Sequence, residues 1–181
     1  MTASEPQHLK TDTFRPQTVV IRAAVLAISC AVSYWLATHI LGSVHSVPRA
    51  DGLLGGMWAT VSAIFVYRYS QAESISVALA RMSGTLMSFA LCLVYLPIFP
   101  FHVLGMAALI GIGVIAVSLI GRPDDTITTS ITTAVVLAVA ATRPPNDAWR
   151  EPILRLVDTA IGVGVGVAAA WISERITPLE K

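Results

Sequence analysis

The chain has 181 residues, of which 55% are hydrophobic and 13% charged, with a mean hydropathy of +0.71. A soluble domain carries about 25% charged residues, so this one lacks the polar surface to face water all round. Twelve Lys and Arg against eleven Asp and Glu leave a formal charge of +1, which offers nucleic acid no basic field. Cys30 and Cys92 stand far apart inside apolar runs, so neither a disulfide framework nor a zinc spacing is present. The expected class is an all-α membrane protein.

A spanning helix needs roughly 20 mostly apolar residues. The uncharged runs predict six transmembrane helices, at 18–42, 52–69, 73–96, 101–121, 125–142 and 152–175. Pro97 and Pro100 divide the long run between Arg81 and Arg122, because proline removes a backbone donor and ends a helix. Residues 18–175 thus read as one transport module. Residues 1–17, polar and holding Pro6 and Pro16, read as a flexible cytoplasmic N-terminal tail, and 176–181 as a short cytoplasmic C-terminal tail. The first run is too long for a signal-peptide core and lacks a small-x-small cleavage site, so no signal or lipoprotein sequence is expected.

Lysine and arginine set the orientation. With the N-terminus inside, Lys10, Arg15, Arg22, Arg68, Arg81, Arg122, Arg175 and Lys181 lie at inner ends. Arg49, Arg143, Arg150 and Arg155 lie at outer ends, and eight against four puts both termini in the cytoplasm. No Walker-type phosphate loop is present, so ATP hydrolysis by the chain is not expected.

Two short motifs echo one another. Arg81-Met-Ser-Gly84-Thr85 opens helix 3, and Arg155-Leu-Val-Asp158-Thr159, continuing to Gly162, opens helix 6. The echo suggests two three-helix repeats, inverted because each crosses an odd number of times, a common transporter plan around a midplane site. Together with Gly56-Met57-Trp58 in helix 2, these motifs resemble the fusaric acid resistance (aromatic acid exporter) family over residues 18–175. The resemblance implies a bacterial inner-membrane exporter of aromatic carboxylic acids, distantly similar to plant malate-conducting anion channels. Long members carry cytoplasmic regions and often two such modules, so this shorter chain is expected to work as a homo-oligomer, a dimer first.

Ionisable groups inside a membrane mark a pathway or a pair. Arg81 offers a carboxylate a planar fork of donors, with Thr85 and Ser88 following on the same face. The other reading is an anchor that snorkels to lipid phosphate. Arg155, Asp158 and Thr159 share a face with Gly162. They form either a coupling or gating group, with Asp158 as proton acceptor, or an Arg–Asp clamp between repeats. Asp158 is equally suited to pair with Arg81. In helix 5, Thr126, Thr129, Ser130 and Thr133 make one hydroxyl stripe, which lines a hydrated path or bonds back to its own helix. Trp58 is the aromatic best placed to stack an aromatic substrate. The candidate substrate site is therefore Arg81, Thr85, Trp58, Thr129 and Thr133.

Gly162 and Gly166 form a small-xxx-small pair for helix packing. Asp124 and Asp125, after Pro123, read as caps of helix 5. Tyr34, Trp35, Tyr67, Tyr69, Tyr95, Trp149 and Trp171 read as an interfacial belt. His39, His45 and His102 have no clustered partners, so no metal and no cofactor is expected. No nucleophile–base pair or two-carboxylate site appears, so the chain is not expected to be an enzyme. The expected function is export of a small organic anion across a lipid bilayer, proton-coupled, by a homo-oligomer. An anion channel, or a non-transporting membrane subunit that needs a partner chain, stands as the alternative.

Overall fold

A computed structural model describes residues 16–42, 49–68, 70–144 and 147–176. Residues 1–15 and 177–181 of the expected tails, with Tyr69 and His45, lie outside the described residues, whereas residues 16, 17 and 176 belong to the flanking helices. Among the described residues the chain is all-helical, in six helices: α1 (Pro16–Gly42), α2 (Arg49–Val66), α3 (Gln71–Tyr95), α4 (Val103–Leu119), α5 (Thr126–Ala140) and α6 (Arg150–Ile176). Each end lies within three residues of the position expected from sequence. The stops have local causes. Proline ends α3: after Tyr95 the backbone turns through Leu96, whose N–H still reaches Cys92 O at 2.9 Å, and on into Pro97. Gly121, with φ +81°, ends α4, where Gly121 N bonds Ser118 O and Arg122 N bonds Val117 O, both at 3.0 Å. That pairing needs a residue in the left-handed region, which glycine adopts without penalty.

Three helices are long and apolar enough to cross a membrane: Gln17–Ile40, Gln71–Tyr95 and Arg150–Ile176. The others are shorter, and at ~1.5 Å per residue α5 is ~22 Å long against a hydrocarbon core of ~30 Å. The distribution of side chains identifies the solvent. Leu104, Leu119 and Ile127 are more than 70% exposed, while Ser33, Ser62, Ser88, Thr129, Thr133 and Asp158 are fully buried. Water does not tolerate so much contiguous apolar surface. This is a membrane protein.

Helices α3 and α6 form the centre and run antiparallel, since Gln71 N at the start of α3 donates to Glu174 Oε2 near the end of α6 at 2.9 Å. Helix α6 also packs on α1 and α2, and α3 on α4 and α5. Gly162 and Gly166 lie where α6 meets α2. A Cβ on Gly162 would strike the Ala59 carbonyl oxygen, and one on Gly166 would stand 2.9 Å from the Ala63 carbonyl oxygen. Neither position has room for a side chain, and small residues of this kind let helices approach closely in a membrane. Gly84 serves the α3–α5 seam in the same way, 3.0 Å from Thr128 Cβ by the same measure.

Burial recurs along the chain at an interval of 74 residues. Gly55, Ala59, Ser62, Ala63 and Val66 of α2 are buried, and so are Thr129, Thr133, Val136, Leu137 and Ala140 of α5. Arg81, Thr85, Ser88 and Cys92 of α3 correspond likewise to Arg155, Thr159, Gly162 and Gly166 of α6. Contacts follow the same register: Ser88 meets Thr133 across α3–α5, as Gly162 meets Ala59 across α6–α2.

Replacing Gly162 by Ala is expected to destabilise the bundle by about 1–3 kcal/mol, because the added methyl meets backbone that has no room to move. Gly164→Ala, whose Cβ has nothing within 4 Å, should leave the melting temperature unchanged or slightly raised. Thermal unfolding of the two variants in detergent, followed by circular dichroism, checks the contrast.

Candidate functional site

On α6, Glu151, Arg155 and Asp158 follow one another at helical spacing and share a face. All three are buried, Glu151 and Asp158 completely. Arg155 Nη2 stands 3.7 Å from Glu151 Oε2, and its Nη1 stands 3.4 Å from Asp158 Oδ2. Helix α2 supplies the next layer: the Trp58 ring lies under the Arg155 guanidinium, 5.1 Å away. Asp51, in the first turn of α2, binds Arg143 through two parallel bonds, Nη1 to Oδ2 at 2.8 Å and Nη2 to Oδ1 at 2.6 Å. Arg143 also contacts Glu151. Burial opposes the Arg143 charge, but hydrogen bonds and charges from Asp51 and Glu151 outweigh it and push its guanidinium above the usual arginine value.

The result is a chain of charges running Asp51, Arg143, Glu151, Arg155, Asp158, with three carboxylates and two guanidiniums. It begins where the first turn of α2 meets the turn after α5 and ends inside the bundle. Its inner members are not saturated. Among the described residues neither Asp158 oxygen has a hydrogen-bond donor in bonding geometry, and Trp58 Nε1 has no acceptor.

The other echoed arginine is held differently. Arg81 is buried in α3, where Nε donates to Ser62 Oγ at 3.3 Å and the guanidinium lies 4.7 Å from the Phe65 ring. Among the described residues no carboxylate comes within 4.0 Å of it. The expected pairing of Arg155 with Asp158 is present, and a pairing of Asp158 with Arg81 is not.

A family model described as fusaric acid resistance protein-like matches residues 29–169, from within α1 to near the end of α6. The chain belongs to the fusaric acid resistance protein-like family. That membership makes it a membrane transport protein. No curated protein and no solved structure matches it.

The remaining expected residues of this transporter-family chain have definite places. Arg81 is ten residues into α3, nearly three turns from its start rather than at the opening of the helix. Thr85, one turn further, is buried beside it. Trp58 is brought to Arg155 instead of Arg81, so one ring face already carries a cation. The helix 5 hydroxyls are spent locally. Thr129 Oγ1 donates to Asp125 O at 2.9 Å, Ser130 Oγ to Thr126 O at 2.7 Å, and Thr133 Oγ1 crosses to Ser88 Oγ at 3.1 Å. Thr129 and Thr133 therefore sit on the α3–α5 seam. Thr159 is buried next to Asp158. Asp125 occupies the first-turn position expected of a cap, but its side chain makes no capping bond and instead accepts from Ser83 Oγ. No metal-binding group of His, Cys, Asp or Glu occurs among the described residues.

Asp51, Arg143 and Glu151 were not among the site residues read from sequence. Glu151 carried a usable signal, since it lies four residues before Arg155, the spacing at which helix charges meet. Asp51 and Arg143 carried none, because 92 residues separate them and only folding brings them together.

Arg155→Leu strands Glu151 and Asp158 without a cation and is expected to destabilise by about 3–5 kcal/mol. Asp158→Asn removes the carboxylate in excess and should alter stability far less. Melting temperatures of the two purified variants in one detergent decide it; equal losses would mean that Arg155 does not neutralise both acids.

Proposed function

We propose that the chain exports small organic anions, aromatic carboxylates first, across the bacterial inner membrane by secondary transport. One observation carries this reading: Arg81 keeps a full positive charge inside the bundle with a hydroxyl and an aromatic ring beside it, but no carboxylate among the described residues. A buried guanidinium without a counter-ion favours an incoming carboxylate, which it can bind through two parallel hydrogen bonds. Phe65 supplies an apolar ring at the same place, suited to an aromatic acid. Arg155, by contrast, is neutralised by Glu151 and Asp158 and has less to offer an anion.

The architecture of the proposed transporter is two inverted three-helix repeats, six spans in all, with both termini cytoplasmic. The 74-residue recurrence of burial supports it, as does the pattern of contacts: advancing every helix by three positions in the order exchanges α1–α2 with α4–α5 and α2–α6 with α3–α5. The α3–α6 contact maps onto itself, as a pseudo-twofold axis requires. Asp158 is the proton site, being the excess acid of the charge chain and having no hydrogen-bond donor in bonding geometry among the described residues. A homo-oligomer, a dimer first, is the working form.

Flux of a simple aromatic carboxylate from proteoliposomes, with and without a pH gradient, tests the reading. The gradient should accelerate wild-type flux, Arg81→Gln should abolish it, and Asp158→Asn should leave flux that no longer responds to the gradient. Flux unaffected by Arg81→Gln would remove Arg81 from the path. Voltage-driven flux indifferent to the gradient would make the protein an anion channel. No flux from well-folded protein would favour a subunit that requires a partner chain.

A further inference from the structure

The charge chain has an outer and an inner part. Asp51 and Arg143 keep 13% and 14% of their side-chain surface, whereas Glu151, Arg155 and Asp158 behind them are sealed. Arg143 is on the turn between α5 and α6, and its partners belong to α2 and α6. It therefore ties the two halves of the chain together at one end of the bundle. A turn residue can leave its partners without breaking a helix, which is how hinges usually work.

The opposite end is built from the equivalent positions but is not tied in the same way. Asp125 follows Asp51 by 74 residues and starts α5 as Asp51 starts α2. It accepts from Ser83 and has only the half-exposed Arg122 nearby, at 3.9 Å. Arg68 lies just beyond α2, as Arg143 lies just beyond α5. Its Nη1 donates to the neighbouring Tyr67 carbonyl at 3.2 Å and not to an acid. A half-buried two-bond ion pair thus closes one end, while among the described residues its counterpart at the other end is unmade.

We propose that Asp51, Arg143 and Glu151 form the gate at this end of the pathway, shut in the present conformation, and that parting Arg143 from Asp51 admits water to Arg155 and Asp158. A clamp that never opened would be expected to leave the groups behind it satisfied. Among the described residues Asp158, fully buried, instead has both oxygens without a donor in bonding geometry, its Oδ2 meeting only Arg155 Nη1 as an ion pair at 3.4 Å. Those oxygens are ready to accept water or a proton when the outer pair separates. The Glu151–Arg155 contact links the two events, because Glu151 touches the gate arginine on one side and the inner arginine on the other. The proposal rests on the transport reading in assigning a pathway, but its test uses no substrate.

The test is thiol accessibility in proteoliposomes, with a water-soluble maleimide on both faces of the membrane. In a Cys30→Ala, Cys92→Ala background, one thiol is introduced by Thr159→Cys, beside Asp158. Val66→Cys, fully buried in α2 far from Arg143, serves as the control in a separate protein. Labelling at Thr159→Cys should be slow with the gate intact. It should rise about tenfold with Asp51→Asn or Arg143→Gln, which corresponds to about 1.4 kcal/mol lost from the closed state. Arg143→Lys, which keeps the charge, should label more slowly than Arg143→Gln. Unchanged labelling in both neutral variants would overturn the gate, and so would an equal rise at Val66→Cys, which signals a loosened fold. Labelling as expected together with no flux of an aromatic carboxylate would leave the gate standing and overturn the substrate class.

Discussion

The close approach of α6 to α2 at Gly162 and Gly166 is the contact on which the polar interior depends. With no Cβ at either position, the α6 backbone comes down onto the carbonyl oxygens of Ala59 and Ala63. Apolar side chains cannot drive helices together in lipid, because the tails they would leave are equally apolar. Close packing and internal polar bonds must do it instead. The seam sets α2 beside α6, so that Trp58 reaches Arg155 and Asp51 comes within reach of Arg143, which also holds Glu151. Two larger residues in place of these glycines would hold the helices apart and leave buried charges facing hydrocarbon.

The two halves share a burial pattern at an interval of 74 residues but carry different side chains at the matching positions. Where α6 meets α2 the seam is glycine and alanine, and the charges above it neutralise one another. Where α3 meets α5 the equivalent positions carry Ser88 and Thr133, joined by a hydroxyl–hydroxyl bond. The arginines diverge in the same way. Arg155 is flanked by two acids on its own helix, while the position equivalent to Asp158 is Gly84 and Arg81 is left with Ser62 and Phe65. Two differences at matching positions, Val77 against Glu151 and Gly84 against Asp158, leave Arg81 without the acids that neutralise Arg155.

Much of the fold was legible because the bilayer restricts what a chain can do. Unpaired backbone groups are so costly in hydrocarbon that apolar runs become helices, and prolines, glycines and charges mark their ends. Pro97 stops α3 where the sequence places it, and Gly121 ends α4 in the left-handed conformation. The site was legible only in part. Arg155, Asp158 and Gly162 could be read because neighbours on one helix face are fixed by helical spacing. The stripe of Thr126, Thr129, Ser130 and Thr133 was also visible, but spacing is silent on whether a hydroxyl faces water or its own carbonyls. Three of these four donate to carbonyls in their own turn, which is where a short hydroxyl side chain in an apolar setting finds its nearest acceptor.

The sequence by itself determined the solvent, the helices and the family, since composition, run length and short local motifs are all properties of neighbouring residues. Tertiary structure alone decided which charges meet. Asp51 and Arg143 are separated by 92 residues, and nothing local to either names the other. Trp58 was equally free to attend Arg81, until the glycine seam set α2 against α6 and put its ring under Arg155. A pairing between distant charges is fixed by the packing of backbones, and that packing is a property of the whole bundle.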